Sequence, residues 1–500
     1  MNKDTASNTQ KTLRGISSQT IVTIVLGCGE IVSFSIMSRL LTQEDFGYYA
    51  ALSAILIVFN SFAETGIGSA IIQRKNADQS FIDNAFTLSF IFGSVLSLLL
   101  FALSDALAKL VVDSSMALPL RLMSLTIICH CLTSPYISIL QKKLKFVTVG
   151  VINLISLIIT SLAAILLAIN GFGYYAIIAK TVLSSILTLF GAAILSKVKF
   201  TFSWNFEIIK SIWNYSGWLM ASVVFRNFAQ QCDKLLMSRL LSVEALGSYN
   251  RPKEFINTIS SKLNGIFDTA LFPVLSDIQD NIQSIQRAFK TSLYLMNLFS
   301  TMLSLAFIFN AELIMRIFFG YEWLNLTSLF QILSIALLFN VLGRLSDCYL
   351  RSLALTKSQF YFRFFETVVQ FSGIIVGAYF GLYGIAIAVV VSNLIMVLIK
   401  FFYITGYINL TWKVVVSIMM RACIPLLYFV PILTALTYFL PHTVVSNILI
   451  LATFIVLAII LFLFTPKLIG GEYRKEIYPK IQQQIIYKIT KKTIISKTHG

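Results

Sequence analysis

Long apolar segments alternate with short polar ones along almost the whole chain. Each apolar segment has about 20 residues or more, enough for an α-helix to cross the roughly 30 Å hydrocarbon core of a bilayer. The segments lack the alternation of apolar and polar residues that marks outer-membrane strands, so helical spans are expected. The pattern predicts an all-α polytopic fold of about fourteen transmembrane helices, at residues 15–40, 46–72, 81–103, 117–139, 146–169, 173–196, 211–240, 246–275, 288–309, 326–350, 360–380, 383–406, 414–440 and 445–465.

The composition agrees with a membrane protein. Of the 500 residues, 57% are hydrophobic and 12% are charged, whereas soluble domains carry about 25% charged residues. A net charge of +17 raises the question of nucleic-acid binding. The basic residues lie mainly in short loops between apolar segments, however, which is the distribution that sets membrane topology. We therefore expect no nucleic-acid partner.

Lysine and arginine residues are concentrated in every second loop, and this predicts the orientation of the chain. With a cytoplasmic N-terminus, the segments counted as cytoplasmic include residues 142–145, 197–210, 357–363 and Lys400. The intervening loops carry few basic residues, and residues 170–173 carry none. We therefore expect a multi-pass protein of the bacterial cytoplasmic (inner) membrane, with both termini in the cytoplasm.

One short motif occurs twice, as MSRLLTQEDFGYY at 37–49 and as MSRLLSVEALGSY at 237–249. Six predicted spans separate the copies, so both end a helix on the same side of the membrane. This offset predicts two parallel six-helix lobes related by a pseudo-twofold axis along the membrane normal, plus two C-terminal helices. The predicted parts are a cytoplasmic N-terminus (1–14), the N-lobe (15–196), a cytoplasmic linker (197–210), the C-lobe (211–406), two further spans (407–465) and a basic cytoplasmic tail (466–500).

Each copy of the motif has the chemistry of a tight helical hairpin. Thr42 is an N-cap candidate with Asp45 three residues later, and Ser242 takes the same place in the second copy. Gly47 and Gly247 allow close helix approach. Ion pairs of Arg39 with Glu44, and of the equivalent residues in the second copy, are expected to add about 0–1 kcal/mol each.

Charged residues inside predicted spans are the best candidates for a functional site, because each costs at least about 2.5–3.5 kcal/mol to insert. The basic ones predict a hydrated cationic cavity between the lobes, since arginine matches phosphate through its planar fork. The 200-residue offset also pairs Glu30 with Gln230, which predicts a polar wall where H⁺ or Na⁺ binds. Internal ion pairing, of Arg226 with Asp233 or of Arg344 with Asp347, stays open as the alternative. The candidates are Arg226, Arg344, Lys262, Arg351 and Lys180 for the substrate anion, and Glu30, Gln230, Asp233, Asp268 and Asp347 for ion coupling and the polar wall.

Enzymatic chemistry is not expected. The histidines and cysteines lack the spacing of a metal or catalytic site, and the chain has no phosphate-binding GxxxxGK[ST] loop. We predict neither a metal nor a cofactor.

Residues 38–75, SRLLTQEDFGYYAALSAILIVFNSFAETGIGSAIIQRK, resemble the N-terminal signature of the polysaccharide transporter family. These are the Wzx-type and colanic-acid-exporter-like flippases of the MOP superfamily. Members often have RLLTPEDFG followed by ADLGLGSALIQR; here Gln43 replaces the proline and Glu64 replaces the aspartate. The segment FPVLSD at 272–277 is also similar to the family.

This resemblance implies a V-shaped, two-lobe flippase that works by alternating access. Its substrate would be an oligosaccharide repeat unit on an undecaprenyl-pyrophosphate-type lipid. Membrane lipid and a polysaccharide polymerase or assembly protein would be its partners, and coupling to H⁺ or Na⁺ is left open.

Two other functions are weighed against the flippase. A cation-coupled multidrug antiporter of the related extrusion branch typically has acidic residues deep in a lobe, whereas the deep positions here are mostly Arg and Lys. A membrane-embedded glycosyltransferase or polymerase needs large external loops, which the predicted topology does not provide.

Overall fold

The computed structural model describes residues 22, 25–64, 67–74, 78–143, 145–199, 201–423, 431, 432, 434 and 453. These residues are mainly helical, and none of them lies in a β-strand. The α-helices are α1 (25–40), α2 (Gln43–Glu64), α3 (Ile67–Gln73), α4 (Gln79–Val111), α5 (Ala117–Lys142), α6 (Phe146–Ile169), α7 (Tyr174–Ser196), α8 (Phe206–Leu240), α9 (Val243–Asp277), α10 (Ile282–Phe309), α11 (Ala311–Ile314), α12 (Thr327–Ser352), α13 (Thr356–Ala378), α14 (Gly381–Tyr407) and α15 (Trp412–Cys423).

The predicted spans coincide with these helices as far as the described residues extend. Each of the first twelve spans contains a helix, with span 46–72 covered by α2 and α3. Helix α15 begins within two residues of the predicted span 414–440, and span 445–465 lies almost entirely outside the described residues. The chain is therefore an all-helical, multi-span protein, while the count of fourteen spans stays a prediction.

Eight helical segments in the described part are long and apolar enough to cross a membrane. Helices α8, α9 and α13 are long enough but are not among the eight, because polar and charged residues lower their hydropathy. Buried polar residues in a membrane helix are expensive and mark functional sites. These three helices therefore deserve comparison with the candidate site residues.

Helix α8 begins inside the segment predicted as the inter-lobe linker. It starts at Phe206, five residues before the predicted boundary, because the Asn205 side chain caps it by accepting from the backbone N–H groups of Glu207 and Ile208. The Asn84 side-chain oxygen on α4 in turn accepts from the Asn205 backbone N–H at 2.6 Å. The linker is thus fastened to the first half of the chain.

Helix packing follows the two halves of the sequence. Within the first half, α5 packs against α4 and α7, and α6 packs against α7. Within the second half, α12 packs against α9, α10 and α14, and α13 packs against α14. Helix α2 joins the halves by packing along α8 and α9. The two-lobe organisation and the pseudo-twofold axis stay predictions.

The two motif copies, named here the first corner (37–49) and the second corner (237–249), contact each other. A Cβ added to Gly47 would lie 1.9 Å from the Val243 carbonyl oxygen, and one added to Gly247 would lie 1.8 Å from the Gln43 carbonyl oxygen. Gln43 and Val243 are equivalent under the 200-residue offset. The close approach expected at these glycines therefore exists, and it joins the two halves.

Each corner begins its helix with the expected cap. The Asp45 carboxylate accepts from the Thr42 backbone N–H at 3.0 Å, and the Asp45 N–H donates to the Thr42 hydroxyl at 3.2 Å. The Ser242 hydroxyl likewise accepts from the Ala245 N–H at 3.1 Å. The capping predictions are confirmed.

The ion pair predicted within the first corner is wrong. Arg39 donates instead to the Ile317 carbonyl at 2.6 Å, across to the second half. Arg239 reaches the other way and donates to the Leu110 carbonyl at the end of α4. Helix ends leave carbonyl groups without intrahelical partners, and arginine satisfies them well. The two arginines therefore hold the halves together in a reciprocal arrangement.

Candidate substrate cavity

Two cavities contain candidate site residues. The larger cavity has a volume of about 500 Å³ and is lined by α8, α9, α12, α13 and α14. All five helices belong to the second half of the chain. The sequence predicts a cationic cavity between the lobes, and that location stays a prediction. Helix α9 directs polar side chains toward α12 and α14 in this cavity, and its Arg251, Glu254 and Thr258 line a smaller cavity toward the first half.

Helix α9 supplies one continuous polar face to this cavity. Its lining residues follow the three- and four-residue spacing that places side chains on one side of a helix. A single helical face therefore presents amide, hydroxyl and charged groups together, and these are Asn250, Lys253, Glu254, Asn257, Thr258 and Ser261.

A charge network closes one wall of the larger cavity. Arg363 on α13 pairs with the Asp347 carboxylate of α12 at 2.7 Å. Lys400 on α14 lies 3.2 Å from the other oxygen of Asp347 and 2.8 Å from Glu366. Lys400 is only 2% exposed, and Asp347 is 4% exposed. Two carboxylates and two cations therefore balance each other where three helices meet.

Asp233 is held in a second buried pair. Its carboxylate pairs with the Lys253 ammonium of α9, and Asp233 is 4% exposed. The alternative considered from the sequence was internal pairing of Arg226 with Asp233 and of Arg344 with Asp347. Internal pairing does occur. Asp347 pairs with Lys400 and Arg363 rather than with Arg344. Asp233 pairs with Lys253, and the pair with Arg226 stays a prediction because that side chain lies outside the described residues.

Two cations on the larger cavity have no carboxylate partner in the described part of the chain. Arg344 is exposed there, and no described carboxylate oxygen lies within 4.0 Å of its guanidinium. The same holds for the ammonium of Lys234, which also lines this cavity. Charge that is not neutralised by the protein is available for an anionic ligand. The role of Arg344 as a ligand of the substrate anion stays a prediction, and Lys234 becomes a second candidate for it.

Several sequence candidates occupy other positions. Gln230 lines the larger cavity. Arg351 does not; its Nε donates to the Asp347 backbone carbonyl at 3.3 Å, and its guanidinium lies 5.6 Å from the centre of the Phe272 ring. The side chains of three further candidates lie outside the described residues, namely Arg226, Lys262 and Asp268.

A smaller cavity of about 270 Å³ lies between the halves, where α1, α2 and α7 meet α9. Glu30 and Lys180 line it, so Glu30 and Gln230 belong to different cavities rather than to one polar wall. The Lys180 ammonium donates to the Ser33 hydroxyl at 2.5 Å. Glu254 lines both cavities, which places them on either side of α9.

Arg251 is the most heavily engaged cation of the smaller cavity. Its guanidinium donates to the Ser38 hydroxyl at 3.1 Å and to the Phe34 carbonyl at 3.0 Å, and it lies 3.5 Å from Glu254. It also lies 3.3 Å from the centre of the Phe34 ring. These contacts join α9 to α1, so Arg251 stabilises the contact between the halves.

Sequence reasoning missed two of the residues that close the larger cavity. Arg363 and Lys400 were counted as cytoplasmic loop charges, because each lies near an end of a predicted span. A signal was present, since Arg363 and Glu366 are three residues apart on one helix and Lys400 lies inside the predicted span 383–406. Both side chains instead enter the helix bundle.

The sequence profile of the family described as "Polysaccharide biosynthesis protein" matches residues 36–328, more than half of the chain. The chain belongs to this family. Lipopolysaccharide biosynthesis protein WzxC of Escherichia coli K12 is 22% identical, over 79% of this chain and 80% of WzxC. Succinoglycan biosynthesis transport protein ExoT of Rhizobium meliloti is 22% identical, over 59% of this chain and 60% of ExoT.

The fold is also found among solved structures. Lipid II flippase MurJ, in an inward closed conformation, superposes with a TM-score of 0.70 at 17% identity. The match covers 89% of this chain and 98% of MurJ. The resemblance to a flippase family that residues 38–75 carry is thus confirmed at the level of family and fold.

Proposed function

We propose that this protein moves an oligosaccharide repeat unit, attached to a lipid pyrophosphate, across the bacterial cytoplasmic membrane by alternating access. Membership of the polysaccharide biosynthesis family supports the substrate class. ExoT, a relative with a transport function in its name, supports transport. The proposal includes the fourteen-helix, two-lobe organisation and cytoplasmic termini predicted from the loops.

The observation that carries the proposal is the positive charge of Arg344 and Lys234 in the larger cavity, which no carboxylate among the described residues pairs. Five basic and four acidic side chains line it, and the acids are engaged with other cations. The excess charge suits a pyrophosphate, which guanidinium and ammonium groups bind through charge-assisted hydrogen bonds. We assign the pyrophosphate to this position, with the lipid chain remaining in the bilayer.

Uncharged polar groups around these cations suit a sugar. The cavity is also lined by carboxamide and hydroxyl side chains, which donate and accept hydrogen bonds as sugar hydroxyls require. The Gln231 amide oxygen and the Ser260 hydroxyl are buried and have no hydrogen-bond partner among the described residues. Buried polar atoms are normally satisfied, so these two support a polar ligand in the cavity.

The pairing of the buried carboxylates disfavours the alternative function, a multidrug antiporter for cationic drugs. A cationic drug needs carboxylates that the protein leaves unneutralised. Asp233 and Asp347 instead hold Lys253 and Lys400.

The export of polysaccharide in cells tests the proposal. In a strain that lacks its own copy of this protein, we expect the double variant Arg344→Gln/Lys234→Gln to lower the export rate at least tenfold. The reason is that a hydrogen bond to a charged group contributes about 1.5–3 kcal/mol, and about 1.4 kcal/mol is a factor of ten. The lipid-linked precursor should accumulate on the cytoplasmic side.

The matched control for this experiment is Arg121→Gln. Arg121 pairs with Asp105 and does not line the larger cavity. The control should export normally and reach the same level in the membrane. Normal export by the double variant would refute the assignment of the anion to Arg344 and Lys234.

A further inference from the structure

Asp233 and Asp347 were predicted to bind a coupling ion. In the structure, each carboxylate is paired with a lysine ammonium group of the chain. Lys400 lies between Asp347 and Glu366, and Lys253 pairs with Asp233. The lysines come from α14 and α9, whereas the carboxylates come from α8, α12 and α13. In both places, a lysine of one helix pairs with a carboxylate of another helix.

The position of Lys400 is one that a bound metal cation takes in other proteins. Carboxylate oxygens from two helices converge on it, and such oxygens are the ligands of hard inorganic cations. The Nζ atom lies 3.2 Å from Asp347 and 2.8 Å from Glu366, and the residue is 2% exposed. A buried carboxylate requires a nearby positive charge, and Lys400 supplies it from within the chain.

We infer that Lys400 is a tethered counter-ion that replaces an inorganic cation between Asp347 and Glu366, so that these carboxylates do not couple transport to Na⁺. A coupling ion must bind and leave once in each cycle, whereas a lysine side chain remains attached to α14. Lys253 does the same for Asp233. The consequence for coupling rests on the proposed transport function, but the occupancy of the cation position does not.

The inference predicts that removing the ammonium group creates a cation site. In Lys400→Met, a methionine of similar length leaves the two carboxylates of Asp347 and Glu366 with one cation, Arg363. An inorganic cation from solution then restores the balance and stabilises the folded state by mass action. Wild-type protein has no such need, because its own lysine fills the position.

The experiment measures the thermal stability of the purified full-length protein in detergent, without any sugar substrate. Each protein is unfolded in NaCl, KCl or CaCl₂ and in choline chloride at the same ionic strength. The control is Lys357→Met, because Lys357 is exposed at the start of α13. We expect no cation-specific change in Tm for the control or for the wild-type protein. Lys400→Met should show a saturable rise of a few degrees with at least one inorganic cation.

Two further variants test whether the charge at position 400 causes the cation response. Lys400→Met/Asp347→Asn removes the excess negative charge and should lose the cation response. Lys400→Arg retains a tethered cation and should resemble the wild type, and this comparison stands even if the methionine variant does not fold.

Two results would overturn the inference. One is a saturable, Na⁺-specific rise in Tm of the wild-type protein that Asp347→Asn abolishes. The other is a folded Lys400→Met protein that is indifferent to all three cations. Neither result bears on export through Arg344 and Lys234, so a failure here is distinguishable from a failure of the proposed function.

Discussion

The close contact between the two corners predicts that adding one methyl group, in Gly247→Ala, destabilises the protein. In Gly247→Ala, the new Cβ would lie 1.8 Å from the Gln43 carbonyl oxygen and 2.7 Å from the Gly47 backbone nitrogen. An ordinary contact of this kind begins at 3.4 Å, so α2 and α9 must separate by about 1.6 Å. The opposing atoms are backbone, and no side-chain rotation relieves the overlap.

The expected loss of stability follows from this geometry. Overpacking a well-packed site typically costs about 1–3 kcal/mol, and the upper end applies here because whole helices must move. Gly47→Ala should cause a similar loss through the Val243 carbonyl. Once one alanine has separated the helices, the second meets less resistance, so the double variant should lose less than the sum of the two single losses.

The assay is thermal unfolding of the purified protein in detergent, and Gly406→Ala provides the matched control. Gly406 lies on α14, and a Cβ added there would meet no atom within 4 Å. This control should be neutral or more stable by about 0.5–1 kcal/mol, because alanine restricts the unfolded chain. If Gly247→Ala proved as stable as Gly406→Ala, the corners would not be in contact.

Two more predictions concern topology and buried charge. A cysteine at residue 171 should react with a membrane-impermeant reagent from outside intact cells, and a cysteine at residue 143 only after the cells are opened; the reverse pattern would invert the topology. Lys253→Ala should destabilise the protein by about 3–5 kcal/mol, because it leaves Asp233 buried without its cation. Lys253→Met/Asp233→Asn should recover most of this stability in the same unfolding assay, and failure to recover would show that the pair is not the cause.

The positions of the helices were predictable because apolar length alone determines where a span lies. The caps at Thr42 and Ser242 were predictable for a similar reason, since the residues that form them are neighbours in sequence. The duplicated motif begins a capped helix in both copies, as expected. It did not reveal that the two copies touch, because an offset in sequence carries no information about distance in space.

The partners of the charged residues were not predictable. Arg39 was expected to bind Glu44 within its own hairpin, yet it binds a carbonyl group 278 positions away. Lys400 was assigned to a loop because hydropathy places a charge near a span end in water. Its partners on α12 and α13 become neighbours only when the helices pack. Sequence periodicity predicts which face of a helix is polar, but it does not predict which helix packs against that face.

The proposed function requires the larger cavity to bind the anionic group of a lipid-linked substrate. Direct binding of undecaprenyl pyrophosphate to the purified protein, measured by native mass spectrometry, tests it. Arg344→Gln should weaken binding by about tenfold to a hundredfold, as expected for the loss of one hydrogen bond to a charged group, and Arg121→Gln should leave binding unchanged. Equal affinity of the wild-type and Arg344→Gln proteins would show that Arg344 does not bind the pyrophosphate.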